Sequence, residues 1–130
     1  MRVKPLPADT GVILVDHGSK FDAANAMLEE VARAYEVFGA AIVEPAHMEL
    51  ASPTLSEAFA RCVRRGARRV VVHPYFLAPG RHSTRDIPNM VQEAARRFRE
   101  VPFVVTDPIG LDPRVLEIVH QRIEEALGRS

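Results

Sequence analysis

The chain has 130 residues, 47% apolar and 26% charged, proportions that suit a globular protein able to bury a core. Lysine plus arginine equals aspartate plus glutamate at 17 each, which argues against a nucleic-acid or membrane-surface binder working through a global field. The single cysteine, Cys62, excludes an intramolecular disulfide and a cysteine-built zinc site, and its amphipathic surroundings make it a small buried hydrophobe.

The opening Met1-Arg2-Val3-Lys4-Pro5-Leu6-Pro7 is too short and proline-rich for a signal peptide. No apolar stretch approaches the ~20 residues that span a bilayer, so a cytoplasmic compartment is expected. The first strand runs from Gly11 to Asp16 and surfaces into His17-Gly18. Gly18 and Ser19 open the first helix, whose stripe of Ala24, Met27, Leu28, Val31, Tyr35 and Phe38 recurs at spacings of three and four. Gly39 stops it. The second strand runs from about Ala41 to Met48, and Pro45 inside it points to a sheet edge. Ser52-Pro53 reads as an N-cap followed by proline at the first helical position, with Leu55, Phe59 and Val63 facing inward.

The third strand begins near Arg69 and contains Val70 to His73; Pro74 is awkward for a central strand. A loop through Pro79, Gly80, Arg81 and His82 leads into a third helix with Ile87, Met90, Val91, Ala94 and Phe98 inside. The fourth strand is Phe103 to Thr106. Asp112-Pro113 then caps a last helix carrying Leu116, Val119, Ile123 and Leu127. Strands alternating with helices of this length imply right-handed crossovers. The expected fold is α/β, one three-layer domain over residues 1–130, with a four-stranded parallel sheet and helices on both faces, like a flavodoxin-like half.

In open parallel sheets, ligands sit beyond the carboxyl ends of the strands where strand order reverses. His17 leaves the first strand there, Glu49 the second, and His82 follows the third. Two neutral imidazoles and a carboxylate at one edge can hold a divalent metal or take protons near neutral pH. Free N–H groups at Gly18 and Ser19 favour an anionic group, and Lys20, Arg81 and Arg85 surround the same edge. His47 lies inside the second strand and His73 inside the third near its start, and both read as packed or hydrogen-bonded residues; His120 reads as helix surface. Tyr75 and Phe76 read as core or pocket wall. The basic cluster Arg61, Arg64, Arg65, Arg68 and Arg69 falls at the opposite edge, without the exposed aromatics of a nucleic-acid footprint.

With those residues in view, the chain resembles the short-form sirohydrochlorin chelatases, the CbiX-like small cobaltochelatases and SirB-type ferrochelatases. The matching pieces are Asp16-His17-Gly18-Ser19-Lys20, then Glu49 with Pro53, then Pro74-Tyr75-Phe76-Leu77-Ala78-Pro79-Gly80-Arg81-His82, and finally Asp86-Ile87-Pro88. Lys20 departs from the arginine common in the family; it keeps the charge and loses the bidentate fork. The resemblance implies a chelatase-like fold and insertion of Co²⁺ or Fe²⁺, with Ni²⁺ a further candidate, into the tetrapyrrole sirohydrochlorin in cobalamin or sirohaem biosynthesis. It implies no permanently bound cofactor, the metal being a substrate. It further implies that His17 and His82 bind the ion and that His17 accepts pyrrole protons. Glu49 and the loop from Leu77 to His82 would contact the ring, with Ser19 and Lys20 beside them. Larger relatives carry two such domains, so a single one predicts a homodimer. Two other functions share these residues: a non-catalytic tetrapyrrole or metal carrier, and a phosphohistidine phosphatase, which Asp16 beside His17 disfavours by repelling phosphate.

Overall fold

The computed structural model describes residues 3–78 and 80–129, with the side chains of 81–84 outside the described set. The elements alternate as β1 (Thr10–Asp16), α1 (Asp22–Phe38), β2 (Ile42–His47), α2 (Leu55–Arg64), β3 (Arg69–Pro74), α3 (Arg81–Ala95), β4 (Phe103–Val105) and α4 (Pro113–Arg129). The strands form one parallel sheet in the order β2-β1-β3-β4. β1 is central because its seven residues are almost wholly buried and apolar, so both of its faces are covered.

Alternation along the strands divides the core in two. Ile13, Val15, Ile42, Ala46, Val70 and Val72 face α2 and α3, meeting Leu55, Phe59, Ile87 and Val91. Val12, Leu14 and Val43 face α1 through Leu28 and Ala32. Each fully buried side chain of this size contributes roughly 1.5–3 kcal/mol. Cys62 lies in the first cluster, where burial pushes its thiol up to about 12. It is an inert packing residue, as its sequence context predicts.

The two prolines occupy places where a missing N–H costs nothing. β2 is the edge strand, with Pro45 facing Leu14 of β1. Its nitrogen lies on the outer side, as shown by His47 N donating away from β1 to Pro53 O. On that same rim, Val43 O accepts from Arg33 and Arg65 and Val43 N donates to Glu36, so side chains cap the free edge. Burial alone would raise the Glu36 carboxyl. Hydrogen bonds from Arg65 and Val43, with the charges of Arg33 and Arg65, instead hold it below its usual value. Pro74 ends β3 and its nitrogen faces β4, whose pairing has already stopped at Val72–Val105.

Four local expectations are corrected. Helix α1 starts at Asp22 rather than at Gly18 and Ser19, and its buried residues are Leu28 and Ala32, while Met27 and Phe38 are exposed. Ser52-Pro53 does not cap α2. Thr54 does, through a capping box with Glu57. Leu116, Val119, Ile123 and Leu127 do not reach the core: none of the described residues of α4 is buried, and these four are 49–70% exposed. One face of the sheet is thus covered by α1 and the other by α2 and α3, with α4 projecting from the end of the chain. Finally, His73 is the penultimate residue of β3, not an early one.

Candidate functional site

Parallel pairing brings the carboxyl ends of β1, β2 and β3 to one edge. The chain leaves β1 toward β2 on one side and reaches β3 on the other, so strand order reverses between β1 and β3. His17 and Phe76 meet at that point. Their rings stack with centroids 4.6 Å apart and planes at 22°. His17 is exposed, and Phe76 is half-buried against the α2–α3 side of the core.

The backbone around His17 is held from both sides. Met48 N donates to Asp16 O at 2.9 Å and Glu49 N donates to His17 O at 3.2 Å, extending the β1–β2 pairing past the strands. Tyr75 N donates to Val15 O at 2.7 Å on the other flank. Gly18 is required here. It adopts φ +87°, and a Cβ at this position would lie 1.8 Å from Glu49 O. Glu49 therefore sits against the loop of His17, with its side chain exposed.

Ser19 is a loop residue whose amide donates to Asn25 Oδ1 and whose Oγ accepts from Phe21 N. Its hydroxyl shapes the approach to α1 rather than capping it. Lys20 is exposed beside it. After β3, Phe76 O and Leu77 O accept from Ile109 N at 3.0 Å and Gly110 N at 2.7 Å, which pins the loop to the segment following β4. Leu77, Ala78 and Gly80 are exposed there. Pro79 lies outside the described residues. Arg81 and His82 are the first two residues of α3, and their side chains lie outside the described set, so the relation of the His82 ring to His17 does too. Among the described residues no group of three or more His, Cys, Asp or Glu is arranged to hold a metal ion.

Three residues take a larger part than their place in the sequence suggested. Phe76 supplies the shelf under His17. Asp16 and His47 form a pair behind it, Nδ1 to Oδ1 at 2.5 Å, with the His47 side chain 3% exposed. Their signal is a strand register, Asp16 opposite His47, which periodicity does not reveal. His73 is a hydrogen-bonded strand residue and His120 a helix-surface residue, as expected. His73 Nδ1 lies 2.7 Å from Thr106 Oγ1, and His120 is an exposed helix residue near Glu124. Arg65 and Arg69, at the far edge, pair with Glu36, Glu44 and Asp9.

Comparison with known proteins places this edge in context. The family model described as CbiX matches residues 11–126. Over 119 residues the chain is 48% identical to the chloroplastic sirohydrochlorin ferrochelatase of Arabidopsis thaliana, covering 91% of this chain and 53% of that protein. The chain thus spans about half the length of that relative. It is 36% identical to the sirohydrochlorin cobaltochelatase of Methanopyrus kandleri, covering 90% of this chain and 96% of the other. Among solved structures, the sirohydrochlorin chelatase SirB from Bacillus subtilis subspecies spizizenii in complex with cobalt superposes with a TM-score of 0.80 at 30% identity. That match covers 90% of this chain and 50% of SirB. No helix among the described residues is long and apolar enough to cross a membrane.

Proposed function

The chain belongs to the CbiX family, and we propose that it inserts a divalent metal, Co²⁺ or Fe²⁺, into sirohydrochlorin. The observation that carries this reading is the exposed imidazole of His17, stacked on Phe76 at the switch point of the sheet and flanked by Glu49. The names of the relatives supply the substrate class: a sirohydrochlorin ferrochelatase at 48% identity and a sirohydrochlorin cobaltochelatase at 36%.

Metallation replaces two pyrrole N–H protons by one M²⁺, releasing two protons while the ion sheds its water. Neutral imidazole suits both demands, as a borderline ligand with an unperturbed pKa of about 6.5. His17 and His82 take the incoming ion in this reading, and His17 then accepts a pyrrole proton. His82 enters through its motif and its position in the first turn of α3. Glu49 offsets the charge of the cation or takes the second proton. The coordination must stay open, because a closed four-ligand cage would retain the ion. Exposed Leu77, Ala78 and Gly80 form the rim on which a flat macrocycle rests, and Pro79 enters through its motif. Ser19 and Lys20 meet its carboxylates, with Arg81 entering through its motif, on a molecule of zero net charge. The metal is a substrate here, and no resident cofactor is part of the scheme.

A homodimer completes the reading. SirB is about twice the length that this chain matches, whereas the Methanopyrus enzyme is matched almost end to end. The apolar stripe of α4 is uncovered in one copy, as is Val104 on the β4 side of the sheet face that α1 leaves bare. A second copy of the chain supplies a cover for both. We also place the protein in the cytoplasm, which the free, buried Cys62 suits.

The deciding experiment is an absorbance time course of sirohydrochlorin with Co²⁺, Fe²⁺ or Ni²⁺, with and without protein. Acceleration over the protein-free rate with Co²⁺ or Fe²⁺ is expected. Binding of the ring with no change in rate would replace the enzyme by a carrier.

A further inference from the structure

His47 reads in the sequence as a packed or hydrogen-bonded strand residue, and in the structure it is both. His47 lines a cleft of about 290 Å³ with Asp22, Asn25, Glu29 and Ser52, and its side chain is 3% exposed. Its hydrogen bond sets the direction of the ring. His47 is the register partner of Asp16 across β1 and β2, and its Nδ1–H donates to Asp16 Oδ1 at 2.5 Å. The same Oδ1 accepts from Gly18 N at 3.0 Å. One carboxylate oxygen therefore ties the imidazole to the amide that immediately follows His17.

The strand pleat sets the direction of this link. Asp16 continues the Val12–Leu14 row on the α1 side of the sheet, and His17 emerges on the opposite side, against Phe76. The pair thus stands on the α1 side of the sheet, behind the exposed histidine. The His47 backbone is itself anchored, its N–H donating to Pro53 O at 2.8 Å. With Glu49 N on the carbonyl of His17 and Asp16 on the amide of Gly18, the peptide unit after His17 is clamped at both ends, and Met48 N on the carbonyl of Asp16 holds the unit before it.

A hydrogen bond of this kind adds only modestly to net stability. Its contribution is geometry. We propose that His47 is a positioning residue for His17, acting through the Asp16 carboxylate and the Gly18 amide to fix where the exposed imidazole points. The inference rests on the chelatase reading for its consequence in turnover, and on the hydrogen bonds alone for its consequence in structure.

The test separates the two. H47F fills the space and cannot donate; H47N places an amide N–H near the Nδ1 position. In Co²⁺ insertion, H47F is expected to lose at least about tenfold in kcat with KM for the ring changed less than about threefold. Displacing a reacting group by about 1 Å commonly has effects of this size. H47N is expected to return to within about threefold of wild type. In the metal-free protein, the His17 ring resonances should move in H47F and coincide with wild type in H47N. If H47F does not fold, H47L carries the same expectation. Wild-type kcat together with unmoved His17 resonances in a folded H47F or H47L overturns the proposal, as does H47N behaving like H47F. If wild-type protein inserts no metal, the chelatase reading fails while the resonances still decide the positioning role.

Discussion

The imidazole of His17 lies on the ring of Phe76, centroids 4.6 Å apart, so the residue leaving β1 and the residue leaving β3 share one surface. This contact spans the switch point of the sheet and gives the exposed histidine its only aromatic support among the described residues. F76A should cost about 1–2 kcal/mol, combining a lost stacking pair with partial burial. It should also lower turnover, whereas F76L should retain more stability than F76A. Denaturant melts paired with insertion rates measure both effects.

Gly18 provides a second check on the same loop. With φ +87° and Glu49 O at 1.8 Å from a built Cβ, G18A must displace the segment that holds Glu49. A loss of more than about 2 kcal/mol is expected, from backbone strain together with the clash. Alanine at Gly66 is the comparison: its φ is also positive, but nothing lies within 4 Å, so strain acts there without a clash. G18A is expected to be the more destabilising of the two in denaturant unfolding.

The stripe of α4 predicts an assembly. If Leu116, Val119, Ile123 and Leu127 are covered by a second copy, light scattering should give twice 14.4 kDa at micromolar concentration. The double variant V119E/I123E should then give 14.4 kDa with an unchanged far-ultraviolet spectrum, because neither side chain is buried within one chain. A monomeric wild type would remove the homodimer from the account.

His73 predicts a pH dependence. Burial pushes its imidazole below the usual 6.5, with the Asp107 backbone partly opposing that shift. Between the ordinary and the lowered value the unfolded chain binds more protons than the folded one, so stability falls as pH falls. The contribution is fully present above about pH 6.5 and is lost as pH drops toward the folded-state value. Relative to wild type, H73Q should gain in unfolding free energy below about pH 6.5 and show no further pH-dependent difference above it. A constant difference across that range would contradict the assignment.

Sequence patterning carried the architecture further than it carried the faces of individual helices. All four strands were legible because each is a short apolar run ending at glycine, proline or a charge, and Pro45 marked the edge strand correctly. The start of α1 was not legible, because Gly18 and Ser19 resemble a helix opening while Asn25 and Asp16 bind their amides in a loop. The cap of α2 was misplaced for a related reason. Ser52-Pro53 and Thr54-x-x-Glu57 both carry start signals, and only the second satisfies both amides of a capping box. The stripe of α4 has helical spacing, but spacing says that a face is apolar and not what covers it. In the candidate site, His17 and Glu49 were legible from their positions after strands. The Asp16–His47 pair depends on cross-strand register, which a single chain read in order does not display.

The central claim is that His17 and His82 carry metal into the ring. Its most direct test is the Co²⁺ insertion rate of H82A beside H17A and wild type, with folding checked by thermal melting. The account predicts that each variant falls to the protein-free rate while its melting transition is retained. Wild-type turnover in a folded H82A would contradict it.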